Sequence, residues 1–225
     1  MEKEIGNKYV AFCDILGFSN LVLNEFDKTI RIYRDFRIEI DKRNELIGIL
    51  VSVYSDSIII VDDDLMKVAE AAQLLQWTTL RHGWLVRGGI GYGKHWKESN
   101  NNNLFIVSEA LVKAVNIEKS IKYPVIAIDS GIKIGLEYWL HGFVHSVFDL
   151  PIIHHLSTTI INPFNNYWFK SAEIKLKKLR SCNENHIHKY DYLLELIEAI
   201  NLRQSFLPQE IIDDLLNKNL IEKID

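Results

Sequence analysis

A carboxylate, Asp14, stands where the chain could bind a cation together with phosphates. It follows the short apolar run 9–13, whose β-forming residues predict a buried central strand. Gly17 then allows a sharp turn, and Ser19 can cap a helix that begins near Asn20. Because divalent cations bind carboxylate oxygens and a helix start presents free amides, this stretch predicts a nucleotide site in outline.

A second carboxylate, Asp56, lies on a predicted hairpin between strands 47–54 and 57–61. In a ferredoxin-like sheet we expect the first strand to lie beside the strand that enters this hairpin, which brings Asp14 and Asp56 to one end of the sheet. Two carboxylates that hold cations ~3.5 to 4 Å apart form a two-metal clamp for phosphoryl transfer. The structural alternative is that Asp14 caps a turn and Asp56 is an ordinary hairpin residue.

The composition is that of a globular domain. The chain has 225 residues, of which 48% are hydrophobic and 25% charged, enough for one domain with a substantial core. A net charge of −4 without a basic tract argues against nucleic acid as the main partner. No signal peptide is evident, and no run has the ~18 to 20 apolar residues of a membrane span. Cys13 and Cys182 are expected to be reduced, so we expect a cytoplasmic protein without stable membrane insertion.

The hydrophobic pattern predicts an α+β fold of ferredoxin-like type, an antiparallel-type sheet with helices mainly on one face. The expected order is strand, two helices, two strands, helix, strand, helix and strand. An aspartate run, 62–64, supplies an N-cap at the start of the third helix. Residues 94–103 are polar and predict a mobile loop. The expected elements cover residues 9–13, 18–27, 29–43, 47–54, 57–61, 65–81, 84–92, 107–120 and 125–128.

The composition changes after this core. No glycine follows Gly142, while three prolines punctuate the remainder. The helical patterns here cover residues 172–180, 189–201 and 208–219. We therefore divide the chain into a core, residues 1–131, and a mostly helical C-terminal elaboration packed on it, residues 132–225.

Three blocks of the core resemble class III nucleotidyl cyclases. Phe12-Cys-Asp-Ile-Leu-Gly-Phe-Ser19 is similar to the first metal-binding signature of that family, and Tyr54-Ser-Asp-Ser57 to its second metal hairpin. Arg87-Gly-Gly-Ile90 resembles a later strand of the family. The blocks look most like those of the pyrimidine cyclases of bacterial Pycsar antiphage systems. The resemblance covers about residues 9–128.

The resemblance implies a complete reaction. Asp14 and Asp56, with the Ile15 carbonyl, would bind two Mn²⁺ or Mg²⁺ ions. The 3′-hydroxyl of a ribonucleoside triphosphate would attack its own α-phosphate and expel pyrophosphate. The enzyme would be a head-to-tail homodimer with its sites between subunits. The β- and γ-phosphates would be bound by the Ser19 hydroxyl and by the backbone of Leu16, Gly17, Phe18, Ser19 and Asn20.

The departures from the purine cyclases concern the base. Their base-reading lysine corresponds to Ser52, and their base-reading acid falls near Phe105. A pocket narrowed by Tyr54 and Phe105 is therefore expected to favour a pyrimidine. The transition-state asparagine and arginine of the purine enzymes fall at Val112 and Asn116, so neither is kept.

The cation that would stabilise the transition state is thus unassigned by the sequence. Arg87 is one candidate, although an arginine on this strand could equally form a structural ion pair, which we favour slightly. Lys94 and Lys97, on the predicted loop, are weaker candidates.

The leading hypothesis is a uridylate cyclase that makes cyclic UMP as a second messenger in antiphage defence, read by a separate effector. The preference for UTP over CTP rests on the resemblance alone, and a cytidylate cyclase is the first alternative. A catalytically silent, nucleotide-binding homologue that acts as a regulatory dimer is the second. A two-metal phosphoryl-transfer enzyme of another type on the same fold is the third.

Overall fold

One sheet of eight strands organises the computed structural model, which describes residues 4–100, 103–203 and 206–218. The strand order is β2-β3-β1-β4-β6-β8-β7, and β5 pairs with β4 outside this path. All pairs are antiparallel except β4 with β6. The strands are β1 Glu4–Ile15, β2 Leu50–Tyr54, β3 Ser57–Asp62, β4 Val86–Asn100, β5 Asn103–Ser108, β6 Ile126–Ile128, β7 Ile152–His155 and β8 Thr158–Ile161.

The first strand lies in the middle of the sheet, but one neighbour differs from the prediction. β1 pairs with β3, the strand that leaves the Asp56 hairpin, and not with β2, which enters it. The reason is that the hairpin folds β3 onto the inner side, next to β1, and leaves β2 at the edge of the sheet. The predicted convergence of the hairpin tip with the end of β1 does not depend on which of its strands is adjacent.

The α-helices pack on both faces of the sheet. They are α1 Phe18–Asn24, α2 Phe26–Ile47, α3 Leu65–Arg81, α4 Glu109–Ser120, α5 Leu136–Val144, α6 Phe169–Cys182, α7 Ile187–Asn201 and α8 Gln209–Asn217. The bounds of α3 match the prediction, because the Asp64 side chain accepts a hydrogen bond from the Met66 amide and caps the helix as expected. None of the described helices combines the length and apolarity needed to cross a bilayer.

The main core lies between α2, α3 and one face of the sheet. Ala11, Cys13, Ile58 and Ile60 are buried there, and Cys13 is a free thiol whose pKa is raised by burial. Phe18, Phe36 and Trp84 form an aromatic group at the end of this core, with ring centroids 5.9 to 6.3 Å from Trp84.

Helix α4 lies on the opposite face, directly on the backbone of β4. A Cβ added to Gly89 would lie 2.4 Å from the Ala114 carbonyl oxygen, and one added to Gly91 would lie 2.4 Å from that of Ala110. Only glycine permits so close an approach. Helix α4 is thus the exception to the predicted placement of helices mainly on one face, and the glycines of β4 permit its close approach.

The region predicted as a mobile loop is a β-hairpin. β4 continues to Asn100 and pairs with β5 through Asn100 and Asn103, while Asn101 and Asn102 lie outside the described residues. β5 includes Val107 and Ser108, which were predicted to be helical, so α4 begins at Glu109. The sequence did not predict these strand segments, because they extend beyond the apolar core and their residues are mostly polar.

The C-terminal part adds strands as well as the expected helices. Residues 152–161 form a hairpin, β7 and β8, and β8 joins the core sheet through Ala127 and Ile160. Helix α5 was also not predicted, and the end of the predicted last helix, Asn219, lies outside the described residues. Buried polar groups fix this part to α3, since the Gln73 side chain donates to the carbonyls of Asn162 and Phe164.

Candidate active site

Asp14 and Asp56 meet at one end of the sheet. Asp14 lies opposite Ser57 in the ladder between β1 and β3, and the next amide, that of Ile15, donates to the Asp56 carbonyl at 3.0 Å. The tip of the hairpin is thus tied directly to the end of β1.

The environment of Asp14 favours the neutral acid. Burial, the Asp56 carboxylate and the Glu118 carboxylate, in that order, raise the pKa of Asp14 to about 6, while Arg87 acts in the other direction. Like charges that converge in a half-buried site raise a pKa in this way. The geometry therefore concentrates negative charge that a divalent cation would neutralise.

The strand register assembles a polar row beside Asp14. Residues directly opposite one another in a ladder present their side chains on the same face. Tyr54 lies opposite Ser57, Ser57 opposite Asp14, and Asp14 opposite Arg87, so the row crosses four strands. A second row, one pleat farther from the sheet end, holds Ser52, Ile59 and Phe12. The predicted base-site residues Ser52 and Tyr54 therefore share a face with Asp14.

The turn after β1 differs in part from the prediction. Gly17 has φ +77, the left-handed conformation expected of the sharp turn, and it precedes α1, which begins at Phe18. Ser19 lies inside the first turn of that helix and is not its cap. The Leu16 amide donates to the Leu85 carbonyl at 2.9 Å, so it is not free for a phosphate. Of the predicted phosphate-binding backbone, this leaves the amides from Gly17 to Asn20 as candidate donors to the phosphates.

Arg87 is held by α4. Its guanidinium donates to the Glu118 carboxylate at 2.7 Å and to the Ile121 carbonyl at 3.3 Å, and the Glu118 side chain is almost fully buried. A charge-assisted pair of this kind fixes the end of α4 to β4. This geometry favours the structural interpretation of Arg87.

Phe105, Lys94 and Lys97 lie away from the two aspartates within one chain. Phe105 pairs with Glu98, and the stretch of β4 from Arg87 to Glu98 corresponds to about 35 Å of extended chain. Lys94 and Lys97 lie on this outer half of β4. Val112 and Asn116 are exposed on α4. A pocket that contains both Tyr54 and Phe105 therefore needs a second chain.

Three residues of this neighbourhood were missed by the sequence analysis. Ser57 lies between Tyr54 and Asp14, and strand alternation after Asp56 could have identified it. Glu118 and Tyr33 come from α4 and α2, and no local pattern indicates that these helices reach the site.

The residues present fit hard divalent cations. Carboxylate oxygens suit Mg²⁺ and Mn²⁺, which commonly bind through one or two carboxylates together with substrate phosphates. In the part of the chain that the structure describes, no group of three or more His, Cys, Asp or Glu side chains could hold an ion. The donor set thus matches an ion that the nucleotide helps to bind, rather than one in an all-protein cage.

Comparison with known proteins gives a result for the fold. No family model matches the chain, and no curated protein matches it in sequence. The non-canonical dimeric guanylyl cyclase domain of the RhoGC fusion protein from the aquatic fungus Blastocladiella emersonii is 14% identical, with a TM-score of 0.52 over 71% of this chain and 95% of that one. The guanylyl cyclase Cya2 is also 14% identical, with a TM-score of 0.50 over 58% of this chain and 78% of that one. The chain therefore has the fold of the class III nucleotidyl cyclase catalytic domain.

Proposed function

We propose that this protein is a nucleotide cyclase that converts UTP to cyclic UMP and pyrophosphate. The observation that carries the proposal is the convergence of Asp14 and Asp56 at one sheet end of a cyclase fold. Two half-buried carboxylates that repel each other cost free energy of folding, and a purely structural role for them would not explain that cost. The cost of that arrangement supports a bound cation.

Two Mn²⁺ or Mg²⁺ ions are proposed as cofactors, held by Asp14, Asp56 and the Ile15 carbonyl. Such ions lower the pKa of an attacking hydroxyl and stabilise charge on a phosphoryl group. The chain itself positions the substrate: the first turn of α1 offers amides and the Ser19 hydroxyl to phosphates, and the Tyr54 ring, about half exposed, can stack on a base.

The pyrimidine preference rests on Ser52 and Tyr54. Ser52 is half-buried on the same face as Asp14, where a serine can donate or accept one hydrogen bond but cannot reach as far as a lysine. Because a serine suits the base edge of uracil and of cytosine alike, CTP is the alternative substrate. Both guanylyl cyclases named above act on a purine by their names, so a comparison of all four nucleotides tests the pyrimidine preference directly.

The biological part of the proposal is a second messenger made during phage infection and read by a separate effector. It is supported by the resemblance of three sequence blocks to those of the Pycsar cyclases. The competing function is that of a catalytically silent homologue that only binds nucleotide. The ion pair of Arg87 with Glu118 supports this alternative, because it leaves no assigned cation to stabilise the transition state.

The experiment is incubation of the pure protein with Mn²⁺ and each of the four ribonucleoside triphosphates, followed by identification of products by mass. We expect cyclic UMP and pyrophosphate, with kcat/KM for a pyrimidine well above that for ATP and GTP. Asp14→Ala and Asp56→Ala should abolish the product, while Asp35→Ala, which changes an exposed aspartate on α2, should not. A purine product would overturn the substrate class, and turnover by either site variant would overturn the two-metal assignment.

A further inference from the structure

The tip of the Asp56 hairpin is strained and is held from outside the sheet. Ser55 has φ +59, in the left-handed region that a serine rarely adopts. Its carbonyl accepts a hydrogen bond of 2.7 Å from the Tyr33 hydroxyl, on α2. A conformation of this kind persists only where surrounding contacts enforce it, and Tyr33 supplies such a contact.

The Tyr33 ring is itself fixed on the other side of the site. It packs against Phe18, the first residue of α1, with ring centroids 5.6 Å apart, and against Phe36 at 6.0 Å. Phe18 is buried and also contacts Trp84. Tyr33 therefore joins the helix that follows Asp14 to the turn that carries Asp56.

The hydroxyl remains a donor over the ordinary pH range. Burial and then the Asp56 carboxylate raise the pKa of Tyr33. A neutral phenol near a carboxylate is stable as a hydrogen-bond donor, so the bond to the Ser55 carbonyl does not depend on pH near neutrality.

We propose that Tyr33 is a positioning residue for the metal site, which holds Ser55 in its left-handed conformation and thereby places the Asp56 carboxylate against Asp14. This inference rests on the proposed function. Its chain of contacts runs from the Tyr33 hydroxyl to the Ser55 carbonyl, through the Asp56 backbone to the Ile15 amide, which donates to the Asp56 carbonyl at 3.0 Å. Tyr33 touches neither substrate nor cation in this scheme.

The test uses Tyr33→Phe, which keeps the ring packing and removes only the hydroxyl. In the metal-free protein, we expect amide exchange at Ile15, measured by NMR, to become faster, because the Asp56 carbonyl is less well fixed. In a titration with Mn²⁺ alone, followed by the EPR signal of free Mn²⁺, we expect the variant to bind Mn²⁺ roughly fivefold more weakly than the wild type. A change of this size corresponds to the loss of about one hydrogen bond.

Two further variants separate positioning from loss of stability. Tyr138→Phe removes a hydroxyl that donates to the Ile152 carbonyl at 2.8 Å and accepts from the Ile152 amide at 2.7 Å, far from the two aspartates. It should leave Ile15 exchange and Mn²⁺ affinity unchanged. Ser55→Asn introduces a residue that tolerates the left-handed region, and in the Tyr33→Phe background it should restore part of the affinity.

The outcomes also separate this inference from the proposed function. If the wild-type protein and Asp56→Asn bind Mn²⁺ equally, the metal site itself is wrong. If Asp56→Asn weakens binding but Tyr33→Phe matches the wild type in affinity and in Ile15 exchange, only the role of Tyr33 is refuted. Failure of Ser55→Asn to restore any affinity would show that Tyr33 does not act through Ser55.

Discussion

At the scale of single residues, Asp14 destabilises the protein in which it is expected to bind metal. The shift of its pKa from 3.8 to about 6 means that the folded state disfavours the charged form. Since Asp14 is partly exposed to solvent, screening reduces the effect to on the order of 1 kcal/mol.

Asp14→Asn should therefore raise the free energy of unfolding of the metal-free protein at pH 7 by about 1 kcal/mol while it abolishes turnover. The measurement is urea unfolding in EDTA, repeated with Mn²⁺. Added Mn²⁺ should stabilise the wild type and not the variant. A variant less stable than the wild type in EDTA would show that Asp14 makes stabilising contacts as an anion.

The same group gives a pH dependence with a defined sign. Because the folded-state pKa is above the unfolded value, the folded protein holds the proton more tightly between pH 3.8 and about 6. The stabilisation from Asp14 is thus fully present below pH 3.8 and is lost as the pH rises through about 6. Unfolding of wild type and Asp14→Asn in EDTA should diverge across this window and run parallel above it, and parallel curves throughout would refute the shift.

At the scale of secondary-structure elements, the contact of α4 with β4 leaves no room for a methyl group. Gly91→Ala would place a Cβ 2.4 Å from the Ala110 carbonyl oxygen, so either the helix or the strand must move. We expect a loss of about 1 to 3 kcal/mol in the free energy of unfolding, measured in urea. Gly6→Ala is the matched control in the same sheet, since its Cβ would have nothing within 4 Å, and it should be neutral or slightly stabilising.

In the turn between β7 and β8, by contrast, two non-glycine residues occupy a backbone conformation that favours glycine or asparagine. Leu156 and Ser157 have φ +46 and φ +63, the pattern of a type I′ turn, which favours Asn-Gly. Replacing both with Asn and Gly should raise the free energy of unfolding by about 1 to 2 kcal/mol. Leu156→Ala, which keeps the strained backbone and removes an exposed side chain, should change it little; an equal gain from that variant would mean that exposure rather than strain is the cause.

This turn also shows why the sequence did not reveal every element. Without Gly or Asn, Leu156-Ser157 carries no hairpin signal, so β7 and β8 were missed. By contrast, the N-cap residue Asp64 and the helix-ending pair His82-Gly83 predicted both ends of α3 correctly. In the site, Asp14 and Asp56 could be placed together because strand and turn signals are local. The pairing of Arg87 with Glu118 could not be predicted, because it depends on how α4 lies on the glycines of β4.

At the scale of the whole molecule, one chain holds an incomplete set of the predicted site residues. Phe105 lies on the outer half of the β4–β5 hairpin, far from Tyr54 in the same chain. A base pocket that uses both would form between two chains, as in the proposed head-to-tail homodimer. Activity should therefore rise more steeply than linearly with protein concentration in the dilute range.

Mixing two inactive variants gives a sharper test of this arrangement. Asp56→Ala and Phe105→Ala, each expected to be inactive or nearly so as a homodimer, should regain up to about a quarter of wild-type activity when mixed. Half of the randomly formed dimers are then mixed, and each mixed dimer has one intact site. Full specific activity of a monomer, or no recovery on mixing, would contradict sites between subunits.

The central position of β1 has a consequence for the synthesis of the protein. β1 pairs with β4 over its whole length, from Glu4 with Lys97 to Ile15 with Val86. A ribosome that adds roughly 5 to 20 residues per second finishes β1 about 4 to 14 s before it begins β4. β3 arrives earlier but covers only one edge, so the nascent chain leaves the other edge of β1 unpaired through this interval. Chaperone demand and misfolding should therefore peak before β4 is complete, whatever the stability of the finished sheet.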